Sequence, residues 1–478
     1  MITLACWLVS VAGTAVLAVL GRSAAVPALP GSTRWPPYSL AAHPSAGAVV
    51  ALGALVVVTG AVATWRMLTA AGETRGPAPR RLLLGGFAAA ALLTVLPPTG
   101  GDLLSYLAYG QEAVSGVDPY LLGPRSHGVP QDAITAAVDP PWQRTPSVYG
   151  PVFTLVSRLV AALAHGNGHL AATLLRLLFA AAFVLTGVVL HLLARDDRQR
   201  RRAAAMWSAN PLLLFTLVAG AHVDVVVAAF LVCSLALVRR LPLASGALLG
   251  LGAAVKITGL VALPGLLWSV RDRRRAWPAV LIGLLVVAVP AFLGAPGLVA
   301  QLHRASALAT PAAPWRAIGW LMEPWLGHTT ARAVIDVLAA LAGLALVALL
   351  LRRGLPPAAD TAVARAAAVT AAFAVGWLLT TPYVLPWYDA LAWAPLALVG
   401  ASFLDRVLLV HTTVLLLAFL PGRDVPLPGG VDVLHGVVHS GLSPAVLAGL
   451  LVVVVGLAVR RPTGAFPGRT PVLGDWGR

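Results

Sequence analysis

Charged residues are scarce in this chain, and lysine and cysteine are almost absent. Only 11% of the 478 residues are charged, and Lys256 is the single lysine among 34 basic residues. The two cysteines, Cys6 and Cys233, both lie inside apolar segments, so no disulfide framework is implied. In contrast, 59% of the residues are hydrophobic, the mean hydropathy is +0.85, and apolar runs of about 18 residues or more recur. The sequence therefore predicts an all-α polytopic membrane protein.

The net charge of +16 would favour nucleic-acid binding in a soluble chain. Here the arginines cluster at the ends of apolar segments, which is typical of membrane topology signals. We therefore expect contact with anionic membrane lipid and no nucleic-acid partner. The first apolar stretch, 2–20, lacks a charged leader, which favours a retained helix over a cleaved signal.

About 14 apolar segments are predicted to cross the membrane. They lie approximately at 2–20, 46–69, 81–97, 169–193, 203–219, 224–238, 242–256, 257–270, 277–293, 331–352, 363–380, 386–401, 406–420 and 436–459. Arginine clusters at 75–81, 195–202, 239–240, 271–275, 352–353 and 460–461 are all expected in the cytoplasm. That orientation puts both termini inside and the loop 98–151 outside. We expect one transmembrane domain, 1–460, followed by a disordered cytoplasmic tail, 461–478.

One further apolar stretch, 149–164, decides whether this topology closes. It is predicted to be a helix of about 16 residues, which is short for a span, and it carries Arg158. If it crossed the membrane, the arginine cluster at 195–202 would lie outside. We therefore expect a juxtamembrane helix in the outer interface.

The outer loop 98–151 is unusually acidic and aromatic for a chain with only 18 acidic residues. Asp102 follows an apolar segment and a Pro- and Gly-rich turn, so its carboxylate is expected at the membrane surface. We interpret it as the principal acid/base residue. The alternative is a helix N-cap, because Asp is a favoured cap and a helix can start here. Glu112 and Asp118 are further candidates, although Asp118-Pro119 is also typical of a turn.

Lys256 lies in the apolar run GAAVKITGLVALP, with no carboxylate nearby in the sequence. A compact ammonium at the outer end of a helix pair can bind an anionic phosphate headgroup. The alternative is a lysine that snorkels to the interface. Because arginine serves the topology clusters, the lone lysine favours the phosphate site.

His222 and Asp224 lie in a turn that interrupts the apolar sequence. A His-x-Asp pair has ligand chemistry for a divalent cation, but two ligands are weak evidence for a metal. The pair could equally hold a sugar hydroxyl or a phosphate by hydrogen bonds. The plainest alternative is a polar turn between two helices.

Two further groups of residues are expected at the outer surface. Trp387, Tyr388 and Asp389 could form a platform for a pyranose ring or a prenyl chain, or belong to an interfacial aromatic belt. In the loop 294–330, Arg304 and Arg316 could pair with phosphate, or be ordinary loop arginines.

Six stretches, taken in order, resemble one protein family. They are GDLLSYLAYG, GVDPYLLGP, DPPWQRTPSVYGPVF, NPLLLFTLVAGAHVD, AAVKITGLVALP and PYVLPWYDAL. Together they are similar to the actinobacterial polyprenol-phosphate-mannose-dependent alpha-1,6-mannosyltransferases, which belong to the GT-C class of membrane glycosyltransferases. The resemblance covers roughly residues 85–400, and no single motif carries it alone.

The resemblance implies a GT-C-type bundle and a polyprenyl-phosphate-mannose donor. It also implies a mannan or lipomannan acceptor, the core of lipoarabinomannan, that is extended outside the cell membrane. It matches the catalytic aspartate of the class to Asp102, while Tyr106 and Tyr149 lie in the matching stretches and are expected to bind substrate. No cofactor is expected. Where the class often carries further acids, this chain has His222-Val-Asp224, which argues against a metal.

The chemistry implied is an inverting mannosyl transfer, because a beta-linked mannosyl phosphate must give an alpha-mannoside. Asp102 would accept the proton of the acceptor 6-hydroxyl, while Lys256, with Arg304 or Arg316, would stabilise the departing lipid phosphate. The prenyl chain is expected beside the helix at 149–164. The alternatives are transfer of another polyprenyl-linked sugar, such as arabinofuranose or glucose, a polyprenyl-lipid transporter or flippase, and a non-catalytic scaffold.

Overall fold

The computed structural model of the protein describes residues 1–71, 77–306, 308–355 and 361–460. All regular secondary structure in these ranges is helical, which confirms the all-α class. The predicted tail 461–478 lies outside the described residues, as does Arg75 of the first arginine cluster.

The helices of the first half begin and end as follows. They are α1 Ile2–Val19, α2 Ala46–Ala70, α3 Pro79–Thr94, α4 Asp102–Val114, α5 Ala133–Ala137, α6 Pro151–Ala164, α7 Gly168–Leu193, α8 Asp197–Met206, α9 Pro211–Leu213 with a π-helical continuation Leu214–Ala219, and α10 Asp224–Leu237. A short 3-10 turn, Pro140–Trp142, follows α5.

The helices of the second half complete the bundle. They are α11 Pro242–Val255, a 3-10 segment Ile257–Ala262, α12 Leu263–Ser269, α13 Ala276–Leu293, α14 Pro296–Ser306, α15 Trp315–Leu326, α16 His328–Leu349 with a π-helical end Leu350–Gly354, α17 Ala362–Thr380, a 3-10 turn Pro386–Asp389, α18 Ala390–Leu396, α19 Leu404–Ala418, and α20 Gly429–Gly436 joined by Val437–Leu442 to α21 Ser443–Arg460.

Helix starts follow from local sequence. Proline stands in the first turn of α3, α6 and α11, where its missing N–H leaves no hydrogen bond unmade. The side chains of Ser45, Asn167 and Thr361 accept hydrogen bonds from the first backbone N–H groups of α2, α7 and α17.

Seven helices in the described ranges are long and apolar enough to cross a membrane. They are Ile2–Val19, Ala46–Ala70, Gly168–Leu193, Ala276–Leu293, His328–Gly354, Ala362–Thr380 and Gly429–Arg460, and the shorter apolar helices are Pro151–Ala164, Asp224–Leu237, Pro242–Val255 and Ile257–Ser269. The class of multi-pass membrane protein is therefore confirmed, whereas the number of about 14 crossings stays a prediction. The segment 203–219 is not one continuous helix, because α8 ends at Met206 and the chain restarts at Pro211.

The helix predicted within 149–164 is confirmed as α6. Its residues Leu155, Leu159 and Leu163 are 54%, 55% and 64% exposed, while Phe153 and Val160 face the core. A continuous strip of exposed leucine suits contact with lipid. The location of α6 in the outer interface stays a prediction.

The stretch 294–330, described from the sequence as a loop, is largely helical. It contains α14 and α15, and on α15 the side chains of Trp320, Leu321 and Trp325 are exposed. Both helices are short and amphipathic, so they do not contain the long apolar runs by which membrane helices are recognised in a sequence.

The centre of the bundle holds the connections that carry the polar residues. Arg176 of α7 is buried and donates hydrogen bonds to the carbonyl groups of Leu93 and Thr94 at the end of α3, and of Ala219 before α10. The backbone N–H of Thr99 also donates to Ala219, at 2.9 Å. Arg176 thus fixes the segment before α4 against the turn before α10.

Candidate active site

A cavity of about 650 Å³ opens where several connections of the bundle meet. They include the segments before α4, before α6, before α10, after α11, before α18 and after α19. The predicted site residues among those that line it are Asp102, Tyr149, His222, Lys256, Trp387 and Tyr388. The volume is within the range of about 300–1,000 Å³ that is typical of sites for small ligands.

Asp102 is the first residue of α4, and its carboxylate is turned to neighbouring side chains. The N-cap is Gly101 and no side chain caps this helix, so the alternative of Asp102 as the N-cap is wrong. Asp102 Oδ2 lies 3.1 Å from His222 Nδ1 and accepts a hydrogen bond from the Tyr106 hydroxyl at 3.4 Å. The backbone N–H of Val223 donates to the same hydroxyl, also at 3.4 Å. These contacts join α4 to the turn before α10.

The surroundings of Asp102 favour its ionised form. Burial opposes ionisation, but the hydrogen bond from His222, the positive charges of His222 and Lys256, and the bond from Tyr106 together lower the pKa of the Asp102 carboxyl. The carboxylate is therefore charged and able to accept a proton or a hydrogen bond from a hydroxyl group.

Lys256 follows the end of α11. No carboxylate is near it in the sequence, but the fold places one in contact with it. Its ammonium lies 3.0 and 2.9 Å from the two carboxylate oxygens of Asp224, the first residue of α10. The ammonium also lies 4.4 Å from the ring centre of Tyr388 and 5.9 Å from that of Tyr149. Lys256 is only 7% exposed, so the alternative of a lysine that snorkels to the interface does not describe it.

Trp387 lies flat against His222. The ring centres are 3.7 Å apart, and the planes are inclined by 13°. The stacked indole fixes the plane of the imidazole whose Nδ1 meets Asp102. In the described part of the chain, His222 Nε2 has no hydrogen-bond partner, and His222 lines the cavity. Trp387 is thus part of the site, whereas its predicted contact with a sugar or prenyl chain stays a prediction.

Two acidic candidates of the outer loop lie outside the cavity. Glu112 is 1% exposed and neither carboxylate oxygen has a hydrogen-bond partner among the described residues. Burial raises the pKa of its carboxyl to about 8. Asp118 accepts a hydrogen bond from the backbone N–H of Tyr120 at 2.8 Å, which is the turn geometry that its Asp-Pro sequence suggests.

Arg304, Arg316 and Asp389 also do not line the cavity. Arg304 is exposed and donates to Gln301 at 3.4 Å, while Arg316 lies 5.2 Å from the ring centre of Trp320. Asp389 is fully buried: its Oδ2 lies 2.9 Å from His411 Nδ1 and accepts a bond from Thr412 at 2.6 Å. Asp389 therefore anchors the 3-10 turn that carries Trp387 and Tyr388.

The cavity residues that the sequence does not predict as site residues include Asp139, Trp142, Arg423 and Asp424. The signal for the first two was present, because they belong to the acidic and aromatic loop. Arg423 and Asp424 lie nearly 300 positions later, and nothing in their local sequence indicates that α19 ends at this cavity. Among the described residues, no three His, Cys, Asp or Glu side chains converge as metal ligands would.

Comparison with known proteins shows the family to which the chain is similar. A family model described as "Alpha-(1->6)-mannopyranosyltransferase, N-terminal domain" matches residues 3–272. Alpha-(1->6)-mannopyranosyltransferase A of Mycobacterium tuberculosis is 33% identical over 220 residues, which are 43% of this chain and 42% of that protein. Alpha-(1->6)-mannopyranosyltransferase B of Corynebacterium glutamicum is 29% identical over 202 residues, which are 38% and 33% of the two chains. The chain thus matches less than half of the length of these curated relatives.

Two solved structures resemble the fold more distantly. ArnT from Cupriavidus metallidurans, bound to undecaprenyl phosphate, is 14% identical with a TM-score of 0.40, over 80% of this chain and 76% of that one. The oligosaccharyltransferase AglB from Archaeoglobus fulgidus, in complex with an inhibitory peptide and a dolichol-phosphate, is 12% identical with a TM-score of 0.36, over 79% and 56%.

Proposed function

The chain belongs to the alpha-(1->6)-mannopyranosyltransferase family, and from that premise we propose that it moves mannose from polyprenyl-phosphate-mannose to the 6-hydroxyl of a growing alpha-1,6-mannan. The acceptor would be the mannan core of lipomannan or lipoarabinomannan. The family and the apolar helices support the activity of a multi-pass membrane glycosyltransferase. The activity, the donor, the acceptor and the side of the membrane are all parts of the proposal.

The observation that carries the proposal is the pairing of Asp102 with His222 in a cavity that also contains Lys256. A base and a cation are what transfer from a sugar phosphate needs. The bond from the acceptor O6 to the mannose C1 forms as the bond from C1 to the phosphate oxygen breaks. Asp102 accepts the proton that leaves O6, and the electron pair of the broken bond stays on the lipid phosphate.

Lys256 is the proposed partner of that phosphate. Before substrate binds, Lys256 forms an ion pair with Asp224, and this pair holds the ammonium in position at the cavity wall. A cation placed in advance beside developing negative charge lowers the barrier to departure of the leaving group. Arg304 and Arg316 are surface residues, so they are less suitable for this role.

The cavity lies at the opposite end of α10 and α11 from an arginine cluster. α10 begins at Asp224 beside the cavity and ends before Arg239 and Arg240, and α11 returns from there to Lys256. Because arginine clusters favour the cytoplasm, this arrangement supports a site on the outer side of the membrane. The exposed leucines of α6 are a suitable surface for the prenyl chain of the donor.

The test is a transfer assay with membranes that contain the full chain, labelled polyprenyl-phosphate-mannose and a short alpha-1,6-mannoside. We expect a labelled product extended by one alpha-1,6-linked mannose. Polyprenyl-phosphate-arabinofuranose in a parallel reaction tests the alternative donor. Binding of the donor without any transfer to mannoside by folded protein would contradict the proposal and favour a lipid transporter.

A further inference from the structure

A second wall of the cavity carries a tryptophan and a carboxylate in direct contact. The indole Nε1–H of Trp142 donates to Asp424 Oδ2 at 2.9 Å, and both residues line the cavity. Trp142 comes from the 3-10 turn after α5, and Asp424 from the segment after α19. The contact therefore joins two distant parts of the chain at the edge of the site.

Asp139 holds this pair in place. Its carboxylate is buried and accepts hydrogen bonds from Arg423 Nε at 3.1 Å and from the backbone N–H of Asp424, also at 3.1 Å. Arg423 also donates to the carbonyl group of Ser23 at 3.3 Å. Asp139 is thus neutralised by Arg423, whereas Asp424 is exposed and has no ion-pair partner in the part of the chain that the structure describes. Asp424 keeps one carboxylate oxygen available to a ligand.

The same Asp139 connects this wall to Asp102. A Cβ atom on Gly101 would overlap with the Asp139 carboxylate, so only glycine permits this close approach directly before Asp102. The segments that carry Asp102 and Asp424 therefore both contact the buried carboxylate of Asp139, and both residues line one cavity. Partial burial raises the pKa of the Asp424 carboxyl, and the negative charges of Asp102 and Asp139 raise it further.

We propose that Trp142 and Asp424 form the subsite that binds the acceptor sugar, with the reactive hydroxyl directed to Asp102. This inference rests on the proposed function and adds the location of its second substrate. The side of the cavity that holds Lys256, Tyr149 and Tyr388 is then left to the donor phosphate.

The chemistry of the pair suits a neutral pyranose. An indole offers a flat apolar surface to the C–H face of a sugar ring, and an ionised carboxylate accepts hydrogen bonds from neighbouring hydroxyl groups. A lipid phosphate would be repelled by Asp424 and is unsuited to this wall. The exposure of Asp424 also suits a chain-like acceptor that extends out of the cavity.

The test compares Asp424→Asn and Trp142→Ala with the wild type in the full-length membrane protein. Asparagine can still accept the hydrogen bond from Trp142, so Asp424→Asn keeps the local structure and removes the charge. Matched controls are Asp272→Asn and Trp325→Ala, which change exposed residues away from the cavity. We measure the KM for an octyl alpha-1,6-mannobioside, the KM for the donor, and kcat.

We expect each cavity variant to raise the acceptor KM about tenfold or more, equivalent to about 1.4 kcal/mol. Donor KM and kcat at saturating acceptor should stay near the wild-type values, and the two controls should not differ from wild type. An unchanged acceptor KM, or a fall in kcat with both KM values unchanged, would overturn the proposal.

Binding of octyl alpha-1,6-mannobioside, followed by calorimetry on purified protein, separates this inference from the proposed reaction. If wild type binds the mannoside and Asp424→Asn binds it at least tenfold more weakly, the subsite stands even when no transfer is detected. If wild type transfers mannose but the binding of the mannoside is the same in both proteins, the subsite is wrong and the proposed function stands.

Discussion

The ammonium of Lys256 contacts both carboxylate oxygens of Asp224, at 3.0 and 2.9 Å, in the buried wall of the cavity. Removing one partner of a buried ion pair leaves an uncompensated charge and typically costs about 3–5 kcal/mol. Removing both charges avoids that cost. The pair therefore offers a way to separate the contribution of Lys256 to stability from its contribution to binding phosphate.

We expect Lys256→Gln to lower both stability and transfer, and Lys256→Gln/Asp224→Asn to recover most of the stability only. Transfer by the double variant should stay reduced by about 10²-fold or more, because no ammonium remains to meet the leaving phosphate. The measurements are the apparent Tm in detergent and the rate of mannose transfer. Recovery of transfer together with stability would show that Lys256 only balances Asp224.

Replacing Asp102 tests the proposed base directly. Asp102→Asn keeps the size of the side chain but cannot accept the proton of the acceptor hydroxyl, so kcat should fall by about 10²–10⁴-fold. The apparent Tm should stay close to that of the wild type. Asp118→Asn is the matched control, since Asp118 shapes a turn outside the cavity and should retain full activity. Equal activity of the two variants would remove Asp102 from the mechanism.

The fold could be predicted in outline because long apolar runs are a strong signal. Helices occur in nearly all of the predicted segments, and α6 was predicted from its short apolar stretch. The amphipathic helices α14 and α15 were not, because their hydrophobic residues are spaced around one face rather than in a run. The interruption between α8 and α9 was visible only as Asn210-Pro211.

Part of the site could be predicted from the sequence. The rest could not, because residues that meet in the site are far apart along the chain. Asp102, His222 and Lys256 were distinctive because each is a polar residue in apolar surroundings. The partners they have depend on the fold: Asp224 for Lys256, and Trp387 for His222. Asp389 illustrates the opposite error, because its sequence neighbours face the cavity while its own carboxylate is buried against His411.

His222 should control the pH dependence of Asp102. Burial alone would raise the pKa of the Asp102 carboxyl, and the hydrogen bond and charge of His222 lower it. In the wild type, Asp102 therefore stays ionised at pH values below the ordinary pKa of an aspartate carboxyl. His222→Phe keeps an aromatic ring against Trp387 but removes the bond, so the pKa of Asp102 should rise.

The expected result for His222→Phe is an acidic limb of kcat/KM that moves to higher pH. The profile is measured between about pH 3 and about pH 8, with the wild type, whose activity should persist to lower pH, as reference. Phe419→Leu is the matched control, because it alters the opposite contact of Trp387 and leaves Asp102 and His222 paired. An unshifted acidic limb would mean that His222 does not support the charge of Asp102.

Glu112 should make the protein less stable as the pH rises. Its carboxyl is buried without a partner, and burial raises the pKa from 4.5 to about 8. Below about pH 4.5 the group is protonated in both the folded and unfolded states, so it has no effect on the free energy of unfolding. Between about 4.5 and 8 only the unfolded state ionises, and the free energy of unfolding falls by about 1.4 kcal/mol per pH unit.

Glu112→Gln removes this titration while keeping the shape of the side chain. We expect the variant to have a higher apparent Tm than the wild type at about pH 8.5, and the difference to become small at about pH 5. Asp272→Asn, at an exposed carboxylate, is the control and should not change the Tm difference between the two pH values. A Glu112→Gln variant that is less stable than wild type at both pH values would mean that the carboxyl has a partner whose loss costs more than its burial.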